Sequence, residues 1–576
     1  MKVTDYIVRF LVQRGVRQVF EVSGGMITHL LDSCYQLGGV QVVSVRHEQA
    51  AGFAAEGWAR MTGVPGVALA TSGPGATNLL TAIGSCYFDS TPAVFITGQV
   101  NRHERKGDRD IRQLGFQETD IVAIARPITK AAWLVESPEA VPEMLARAFA
   151  TALDGRPGPV LLDIPMDVQR GDIAVDEPGP ASIPPAVEPD GTLTSSIDQL
   201  LASLRTARRP LLLAGGGLRC GNAIHAFRQV VGELGIPAVH SLMGVDALAC
   251  DNPMRVGMIG TYGNRWANLA MGQSDLLLVL GSRLDIRQTG SDVAAFQAGR
   301  TIFQVDVQRG EMNQRVTGCH TICSDLKPFF AALRTRLTSQ DRAPRVDWYA
   351  EIAELRQRWP DTAETLGSPG INPNAFMQLL SQSSTRASAF TVDVGQHQMW
   401  AAQSLRLGSH QRFLTSGGMG SMGFALPAAI GVAFASAPSP VVVVAGDGGF
   451  QHNIHELQTI AHHRLPIKMV VMNNRCHGMV RQFQESYFES RFQSTTWGYS
   501  APDFARVALA YDIPATTVAD ESGLAAALAE LWQDPAAPAL LQVMVDASTP
   551  VFPKIAFGRP FTEMEPQAKP IDMEST

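Results

Sequence analysis

The sequence has few of the features that mark secreted, membrane-bound or nucleic-acid-binding proteins. Its 576 residues include seven cysteines, which are scattered, odd in number and without a Cys-x-x-Cys pair, so neither a disulfide framework nor a zinc site is expected. No apolar run of about 18 residues occurs, so no transmembrane helix is predicted. The first residues lack the apolar core of a signal peptide, which favours the cytoplasm. The net charge is −7 and there is no basic stripe, so we expect no nucleic-acid partner.

The length and the alternation of strand and helix patterns predict an α/β protein of several domains. A chain of 576 residues should hold about three or four domains. Apolar strands that alternate with helices indicate doubly wound parallel sheets. Five prolines between Pro178 and Pro189, and a Gly- and Pro-rich segment at 367–373, mark linkers. We predict domains at residues 1–175, 190–345 and 368–552, with a C-terminal tail at 553–576.

One stretch carries the clearest sign of a ligand site. An apolar strand at 441–445 runs into a Gly-Asp-Gly-Gly motif that contains Asp447, and a helical pattern follows. A second apolar strand at 468–472 then runs into an Asn-Asn pair that ends with Asn474. Both ends of a right-handed strand–helix–strand crossover lie at the same edge of the sheet. Asp447 and Asn474 are therefore predicted to meet.

The residue types in this stretch favour a metal-bridged diphosphate. A carboxylate and an amide oxygen are hard ligands, which suit Mg²⁺ or Ca²⁺ better than zinc. Mg²⁺ fills the rest of its octahedron with phosphate oxygens and water. Glycines beside the acid allow the backbone to approach a phosphate closely. The alternative is that Asp447 only caps the helix that follows it.

A second candidate acid, Glu48, follows an apolar strand at 42–45. It stands at the carboxyl end of that strand, where ligands bind in open α/β sheets. A Gly-Pro-Gly loop at 73–75 follows the next predicted strand, and a small-residue helix at 50–59 is suited to close packing. The alternative is that Glu48 is a first-turn carboxylate that stabilises the helix dipole.

Taken together, these motifs resemble those of a known enzyme family. Gly-Asp-Gly, a spacer of this length and Asn-Asn after a strand resemble the thiamin-diphosphate signature. Over nearly its whole length the chain resembles the acetolactate synthase branch of the thiamin-diphosphate enzymes. The segments that carry the resemblance are 23–25, 46–52, 70–79, 96–100, 116–120, 395–400, 417–423 and 446–482. The resemblance implies a pyrimidine-binding, a central and a diphosphate-binding domain, with thiamin diphosphate and Mg²⁺ as cofactors.

The resemblance also implies roles for individual residues. Glu48 would hydrogen-bond the pyrimidine ring and begin general acid–base catalysis through the coenzyme. Asp447, Asn474 and the backbone carbonyl of Cys476 would bind Mg²⁺. Met422 would hold the coenzyme bent, although a core methionine is the alternative. The other residues implied to contact thiamin diphosphate are Gly24, Gly25, Pro74, Asn78, Gly395, Gln396, His397, Gly420, Gly446, Gly448, Gly449 and Gly478.

The central domain carries a weaker signal. A strand at 210–214 runs into three glycines, but Gly221 falls one residue late for a Gly-x-Gly-x-x-Gly motif, so a tight turn at a helix start is an equal alternative. In the family that the chain resembles, this domain binds FAD, mainly as a structural cofactor. Arg283 and Arg287 would contact its diphosphate, and Asp306, placed after a strand, would contact its ribose. The alternative is that these arginines belong to a solvated charged surface. The residues implied are Gly215, Gly216, Gly217, Arg283, Asp285, Arg287, Asp306 and Asp325.

The implied reaction joins two carbonyl compounds. A 2-oxo acid such as pyruvate loses CO₂, and its acyl carbanion attacks a carbonyl acceptor. The residues implied to line this region are Phe116, Gln117, Met479 and Phe483, together with His397. Three departures bear on the acceptor: Phe483 where acetolactate synthases usually have Trp, Met166 where they commonly have Lys, and Gly115 where Ala is usual. Fewer cations and a smaller aromatic ring predict a roomier, less anion-directed acceptor pocket.

These departures, with the segments at 106–116 and 552–560, favour a ketone acceptor. They look most like the sugar-branching (yersiniose-type) carboligases, which act on ketones such as nucleotide-linked 4-keto-deoxysugars. The alternatives are an acetolactate synthase catalytic subunit, a flavin-dependent pyruvate oxidase and a non-catalytic paralogue. In this family the site forms between two subunits, because the acid and the metal ligands lie on different domains, so a homodimer or homotetramer is implied. The tail either covers the site or is disordered.

Overall fold

Three six-stranded sheets form the framework of the computed structural model, which describes residues 1–175, 177–178, 191–342 and 345–571. Every strand in these sheets runs parallel to its neighbours, and helices flank both faces, which confirms the predicted doubly wound α/β fold. The predicted proline-rich linker lies almost wholly outside the described residues. None of the described helices is both long and apolar enough to cross a membrane.

The first sheet has the strand order β2-β1-β3-β4-β6-β5. Its strands are β1 (Gln18–Glu21), β2 (Gln41–Ser44), β3 (Gly66–Ala70), β4 (Ala93–Gln99), β5 (Ala131–Leu134) and β6 (Pro159–Pro165). Its helices are α1 (Val3–Gln13), α2 (Thr28–Leu37), α3 (Glu48–Thr62), α4 (Pro74–Asn78), α5 (Leu80–Phe88), α6 (Ile121–Ala125), α7 (Val141–Leu153) and α8 (Met166–Gln169).

The middle sheet has the order β12-β11-β10-β7-β8-β9. Its strands are β7 (Pro210–Ala214), β8 (Ala238–His240), β9 (Arg255–Met258), β10 (Leu276–Leu280), β11 (Thr301–Asp306) and β12 (His320–Cys323). Its helices are α9 (Leu193–Thr206), α10 (Gly217–Cys220), α11 (Ile224–Leu234), α12 (Arg265–Gln273), α13 (Ile286–Thr289), α14 (Val293–Gln297), α15 (Leu326–Arg336) and α16 (Val346–Arg358).

The third sheet has the order β14-β13-β15-β16-β18-β17, which repeats the topology of the first. Its strands are β13 (Ala389–Val392), β14 (Arg412–Leu414), β15 (Val441–Gly446), β16 (Ile467–Asn473), β17 (Ala515–Val518) and β18 (Ala539–Met544). Its helices are α17 (Pro373–Ser383), α18 (Gln396–Ser404), α19 (Ala425–Ser436), α20 (Asp447–His452), α21 (Leu457–His463), α22 (Gly478–Tyr487), α23 (Phe504–Ala510) and α24 (Leu524–Leu531).

Two details of these elements differ from the sequence interpretation. The helix predicted between Asp447 and β16 is divided into α20, a 3₁₀ turn and α21. The division falls at Asn453. Its side-chain amide donates to the Gly423 carbonyl and to the side chain of Gln49. Asp306 ends β11 instead of following it.

The first and third domains are joined by close packing of α3 on α19, as the small-residue pattern predicts. A Cβ atom added at Gly57 would overlap the Ala428 carbonyl, and one added at Gly431 would overlap the Ala54 carbonyl. Only glycine allows two helix backbones to approach this closely. The contact forms part of the largest described apolar core, which runs from the first sheet to the third.

The C-terminal tail is ordered as far as Ile571, and residues 572–576 lie outside the described part of the chain. It forms a two-stranded antiparallel hairpin, β19 (Lys554–Ile555) and β20 (Met564–Glu565). The Ile555 amide donates to the Thr261 carbonyl at 2.8 Å, and Phe561 and Met564 enter the core of the middle domain. The alternative of a wholly disordered tail is therefore wrong.

Candidate active site

The strand order creates a crevice at the carboxyl edge of the first sheet and another at that of the third. The order reverses between β1 and β3, and again between β13 and β15. Ligands of open α/β sheets bind at such switch points. The loops after these four strands contain most of the predicted coenzyme residues: Gly24 and Gly25, Pro74 and Asn78, Gly395 to His397, and Gly446 to Gly449.

Asp447 lies in the crevice of the third sheet, in surroundings that favour a bound cation. Its carboxylate is 2% exposed and accepts a hydrogen bond from the Tyr499 hydroxyl at 2.9 Å. Burial raises the pKa of Asp447 to about 6, although Tyr499 and backbone amides, including that of Arg475, lower it. Asp447 is the first residue of α20 and not its N-cap, so helix capping does not account for its position.

Asn474 follows the neighbouring strand, and both polar atoms of its side chain make hydrogen bonds. Its amide nitrogen donates to Gln396 Oε1 at 2.9 Å, and its side-chain oxygen accepts from the Cys476 amide at 3.2 Å. β15 and β16 pair in register up to Gly446 and Met472, so both predicted ligands emerge at the same edge. The structure thus places Asp447 and Asn474 at one edge of the sheet, the arrangement that the crossover argument predicts, and Cys476 follows two residues after Asn474.

The donor set at this edge suits Mg²⁺. Among the described residues, no group of three or more His, Cys, Asp or Glu side chains is placed to hold a metal ion. A metal at Asp447 would therefore rely on one carboxylate, one amide oxygen and a backbone carbonyl. These are oxygen ligands, and they leave room for phosphate and water in an octahedral shell.

Glycines shape the space next to Asp447 into a cradle that side chains would fill. A Cβ atom at Gly448 would lie 2.8 Å from the His477 ring and 3.2 Å from the Met422 methyl. At Gly395 and Gly446 it would lie 2.7 and 2.8 Å from the His397 ring, and at Gly478 it would overlap Gln396. α18 and α22 also begin here, and their free amides favour an anion. The cradle fits a diphosphate.

His397 supports this cradle from below instead of facing the crevice. The ring is 4% exposed and accepts a hydrogen bond from the Gly446 amide through Nε2 at 3.2 Å. Burial lowers the pKa of His397 to about 3, so the imidazole is neutral. Its place among the residues that line the substrate region stays a prediction, and its contacts give it a supporting position.

Met422 is held above the cradle by an anchored loop. Asp393 accepts hydrogen bonds from the amides of Gly423 and Ala425, both at 2.9 Å, which fixes the segment after Met422. Gly420 has a φ of +70°, which few other residues adopt. Met422 is half-buried and directed at Gly448, a placement that favours contact with a ligand over a core role.

The first-domain residues form a second cluster around Glu48. Glu48 is 9% exposed, begins α3 and accepts a hydrogen bond from Asn78 Nδ2 at 2.9 Å. A Cβ atom at Gly75 would lie 3.3 Å from the Glu48 carboxylate, and one at Gly73 would lie 3.0 Å from Gln117. Glu48 is thus both the first-turn carboxylate of the alternative interpretation and part of a crevice that also contains Gln117.

The two clusters do not meet within one chain. Within the described ranges, no hydrogen bond or ion pair connects Glu48, Asn78 or Gln117 with Asp447, Asn474 or Met422. The contacts between the two domains flank the clusters without joining them: the Arg46 amide donates to Glu456 at 2.8 Å, Asn453 donates to Gln49 and to Gly423, and α3 packs on α19. The hydrogen-bond partners of Glu48 and of Asp447 each lie in their own domain.

Two of the residues predicted on the acceptor side, Phe116 and Phe483, are exposed, whereas Gln117 and Met479 are half-buried. Met479 and Phe483 lie on α22, where the Phe483 ring is 39% exposed and contacts Tyr487 at 4.9 Å and Phe488 at 5.7 Å between ring centroids. Phe116 is 79% exposed. Gly115 does not create space: a Cβ atom there would lie 2.9 Å from the Glu104 carbonyl. The absence of a side chain at Gly115 therefore serves the packing of its own loop.

The middle domain contains a large cavity of about 820 Å³ at its own switch point, between β7 and β10. Its strand order, read from β9, is the 3-2-1-4-5-6 order of dinucleotide-binding sheets. Gly215 does not line the cavity. A Cβ atom there would overlap the Gly281 carbonyl, so the turn requires a glycine at this position. The other predicted residues all line it: Gly216, Gly217, Arg283, Asp285, Arg287, Asp306 and Asp325. Asp285 and Asp325 also cap α13 and α15.

Several residues of these sites carried no usable sequence signal. Tyr499 reaches Asp447 from a loop beyond α22, and Arg156, Asp89 and Phe88 line the middle-domain cavity from the first domain. Their positions depend on contacts between distant segments. Asp393 is different, because a carboxylate directly after the buried strand β13 repeats the pattern that identified Asp447.

Comparisons with known proteins agree with this geometry. Three family descriptions match: "Thiamine pyrophosphate enzyme, N-terminal TPP binding domain" over 1–124, its central domain over 197–333 and its C-terminal TPP binding domain over 393–543. The chain is 37% identical over 571 residues to the acetolactate synthase isozyme 2 large subunit of Escherichia coli (strain K12), covering 98% of this chain and 99% of that protein. It is 36% identical over 574 residues to acetolactate synthase 2, chloroplastic, of Nicotiana tabacum, covering 98% and 85%.

Mg²⁺-dependent binding of thiamin diphosphate should weaken as the pH falls through about 6. The raised pKa of Asp447 means that its carboxylate takes up a proton in this range, and a proton and a metal compete for the same oxygen, at about tenfold per pH unit. Asp447→Asn should lose binding at every pH. Tyr499→Phe removes a hydrogen bond that lowers this pKa, so its midpoint should move to higher pH. Isothermal titration calorimetry between pH 5 and 8 measures both.

The exposed Tyr35→Phe is the matched control and should behave as the original chain. A binding constant that does not change between pH 5 and 8 would contradict the assignment of Asp447 as the metal ligand.

Proposed function

Since this chain belongs to the acetolactate synthase-like branch of the thiamine pyrophosphate enzyme family, and is thus a thiamin-diphosphate-dependent carboligase that decarboxylates a 2-oxo acid, we propose that its donor is pyruvate and its acceptor an uncharged ketone. The choice of a ketone as the acceptor rests on Phe483. Its exposed ring stands one turn after Met479 in an aromatic group with Tyr487 and Phe488. Such a surface favours an uncharged carbonyl compound over a carboxylate. The product is a tertiary alcohol that carries the acetyl unit of pyruvate, with CO₂ released.

We assign the residues of the two clusters to complementary tasks. When bound, thiamin diphosphate supplies the carbanion-stabilising chemistry. Asp447, Asn474 and the Cys476 carbonyl hold Mg²⁺, and the glycine cradle with the amides of α18 and α22 holds the diphosphate. Met422 positions the coenzyme from above. The Glu48 carboxyl group would hydrogen-bond the pyrimidine ring, and Asn78 fixes its orientation.

We also propose that a second copy of the chain completes each site. Glu48 and Asp447 lie in separate crevices of one chain, so the half-site of one subunit needs that of another. The exposure of Phe116 and Phe483 in the single chain supports this, because large apolar groups of this kind usually mark an interface. A homodimer, or a tetramer made of two such dimers, satisfies the requirement. The seven free cysteines suit the reducing cytoplasm.

For the middle-domain cavity we propose FAD. Its strand order, its volume and its position at the switch point suit a dinucleotide. Arg283 and Arg287 would face the diphosphate, and Asp306 at the end of β11 would meet a ribose.

A second candidate function is that of an acetolactate synthase, with pyruvate as acceptor as well as donor. The curated relatives at 36–37% identity carry that name. This candidate has the same donor chemistry and the same cofactors as the first. It differs only in the acceptor, which would be a second pyruvate beside Phe483.

Product analysis separates the two candidates. The purified protein with thiamin diphosphate, Mg²⁺, FAD and pyruvate should convert an added ketone in excess to a tertiary alcohol, at the expense of acetolactate. Phe483→Trp should lower the ratio of ketone product to acetolactate about tenfold, because a larger ring narrows the acceptor space. Gas chromatography–mass spectrometry of the products measures the ratio. Rapid acetolactate formation that the ketone does not alter would instead establish the second candidate.

Subunit complementation tests the shared site. Glu48→Gln and Asp447→Asn should each abolish activity. When the two variants are co-expressed, random pairing gives half of the dimers one intact site, so about a quarter of the original activity should return. A site within one chain predicts no recovery, and that result would refute the proposed arrangement.

Equilibrium dialysis with FAD tests the cavity. The chain should bind one FAD, and Arg283→Ala and Arg287→Ala should each weaken binding about tenfold or more, since each removes a charge-assisted hydrogen bond. Arg209→Ala is the control, because Arg209 pairs with Glu351 on the protein surface. Equal affinity in all three variants, or no saturable binding, would contradict FAD in this cavity.

A further inference from the structure

The C-terminal tail is tied to the metal-binding edge of the third domain. Gln396, which holds Asn474, donates to the Thr549 carbonyl at 3.1 Å. Gln482 on α22 exchanges two hydrogen bonds with the backbone of Val551, at 2.9 and 3.2 Å. The tail therefore begins in contact with residues of the candidate site, and its course beyond Val551 is fixed relative to that site.

From this anchor the tail carries Lys554 to the aromatic group around Phe483. The Lys554 ammonium lies 5.2 Å from the centroid of the Tyr487 ring, and the Tyr487 ring lies 4.9 Å from that of Phe483. Phe557 of the tail contacts the other side of Tyr487, at 6.2 Å. The acceptor side of the site is thus built jointly by α22 and the tail.

Lys554 forms a buried ion pair whose bonding capacity is only partly used. Its ammonium lies 3.1 Å from Glu565 Oε1, and the two residues are 7% and 8% exposed. Neither of these atoms makes a well-directed hydrogen bond within the described part of the chain. An ammonium has three donors and a carboxylate several acceptor sites, and leaving them unused in a buried place is costly. The pair therefore has donor and acceptor capacity that no described residue uses.

Two tyrosines add neutral donors beside this pair. Burial, and then the charge of Glu565, raise the pKa of Tyr487 to about 12. Burial also raises the pKa of Tyr262 to about 12, with Glu565 contributing and Arg287 opposing. Both hydroxyls therefore stay protonated, and neither makes a hydrogen bond to a described residue. Tyr262 also lines the end of the middle-domain cavity.

We propose that the tail cluster, defined as Tyr262, Tyr487, Lys554 and Glu565, is the subsite that recognises the acceptor, and that it selects an uncharged ketone bearing hydroxyl groups near its carbonyl. This inference rests on the proposed function. The pair has no net charge, so it gives a carboxylate no attraction. A hydroxyl group both donates and accepts, so neighbouring hydroxyls satisfy Lys554 and Glu565 together. The exposed cation nearby, Arg287, lies at the cavity that we assign to FAD.

The test compares three acceptors with pyruvate as donor: dihydroxyacetone, which is neutral and hydroxylated; butanone, which is neutral and apolar; and 2-oxobutanoate, which is anionic. The double variant Lys554→Met, Glu565→Leu removes both charges at similar volume, a change that buried ion pairs usually tolerate. The KM for dihydroxyacetone should rise about tenfold or more with little change in kcat. The KM for butanone, and that for the pyruvate donor, should stay within about twofold of the original values.

Two further variants keep the result interpretable. Tyr487→Phe removes one hydroxyl without changing shape or charge, and it should raise the KM for dihydroxyacetone several-fold even if the double variant folds poorly. Arg209→Met with Glu351→Leu removes an exposed ion pair in the middle domain and should leave all three acceptors unchanged.

The outcomes are distinct. If dihydroxyacetone is converted but its KM is unchanged in both tail variants, the subsite is refuted and the ketone-accepting function stands. If the double variant raises the KM for 2-oxobutanoate more than that for dihydroxyacetone, the cluster recognises an anion and the selection of a neutral ketone is refuted. If the original chain converts neither ketone and uses only 2-oxo acids, both the proposed function and this inference fail.

Discussion

The contact between α3 and α19 determines how the functional parts of this chain are arranged. Gly57 and Gly431 let the two helix backbones touch, so the first and third domains cannot rotate against each other without opening this contact. α3 begins with Glu48, and α19 follows the loop that carries Met422. The same contact therefore fixes where the start of α3 and the Met422 loop stand relative to each other.

A buried charged group reinforces this contact and extends it to the middle domain. Arg60 on α3 pairs with the buried carboxylates of Glu56 and Asp89 and donates to the Thr415 carbonyl at 2.8 Å. The Asp89 carboxylate also accepts from the amides of Gly417 and Gly418, at 3.0 and 2.6 Å. Arg60 and Asp89 line the middle-domain cavity as well. One network thus connects the wall of that cavity with the loop that leads to Met422.

Buried ionisable groups elsewhere in the chain divide into those with full sets of partners and those without. Asp393 is buried, but three backbone amides bind its carboxylate, and its task is to hold the Met422 loop. Asp447 keeps a raised pKa despite Tyr499, and Lys554 and Glu565 keep unused bonding capacity. Groups of the second kind are where a ligand gains most, because it supplies the missing interactions.

The sequence by itself determined the fold class and the convergence of Asp447 with Asn474. Apolar strands such as 66–70 and 210–214 are recognisable from local composition, and the crossover rule then places their ends at one edge without any knowledge of the contacts. The chain also showed its family through motifs that are local in sequence. The tertiary structure alone decided the meaning of Gly115, the supporting position of His397, the contribution of Tyr499, the course of the tail and the separation of the two crevices. These depend on which distant segments pack together, and packing between distant segments leaves no periodic or local pattern in the sequence.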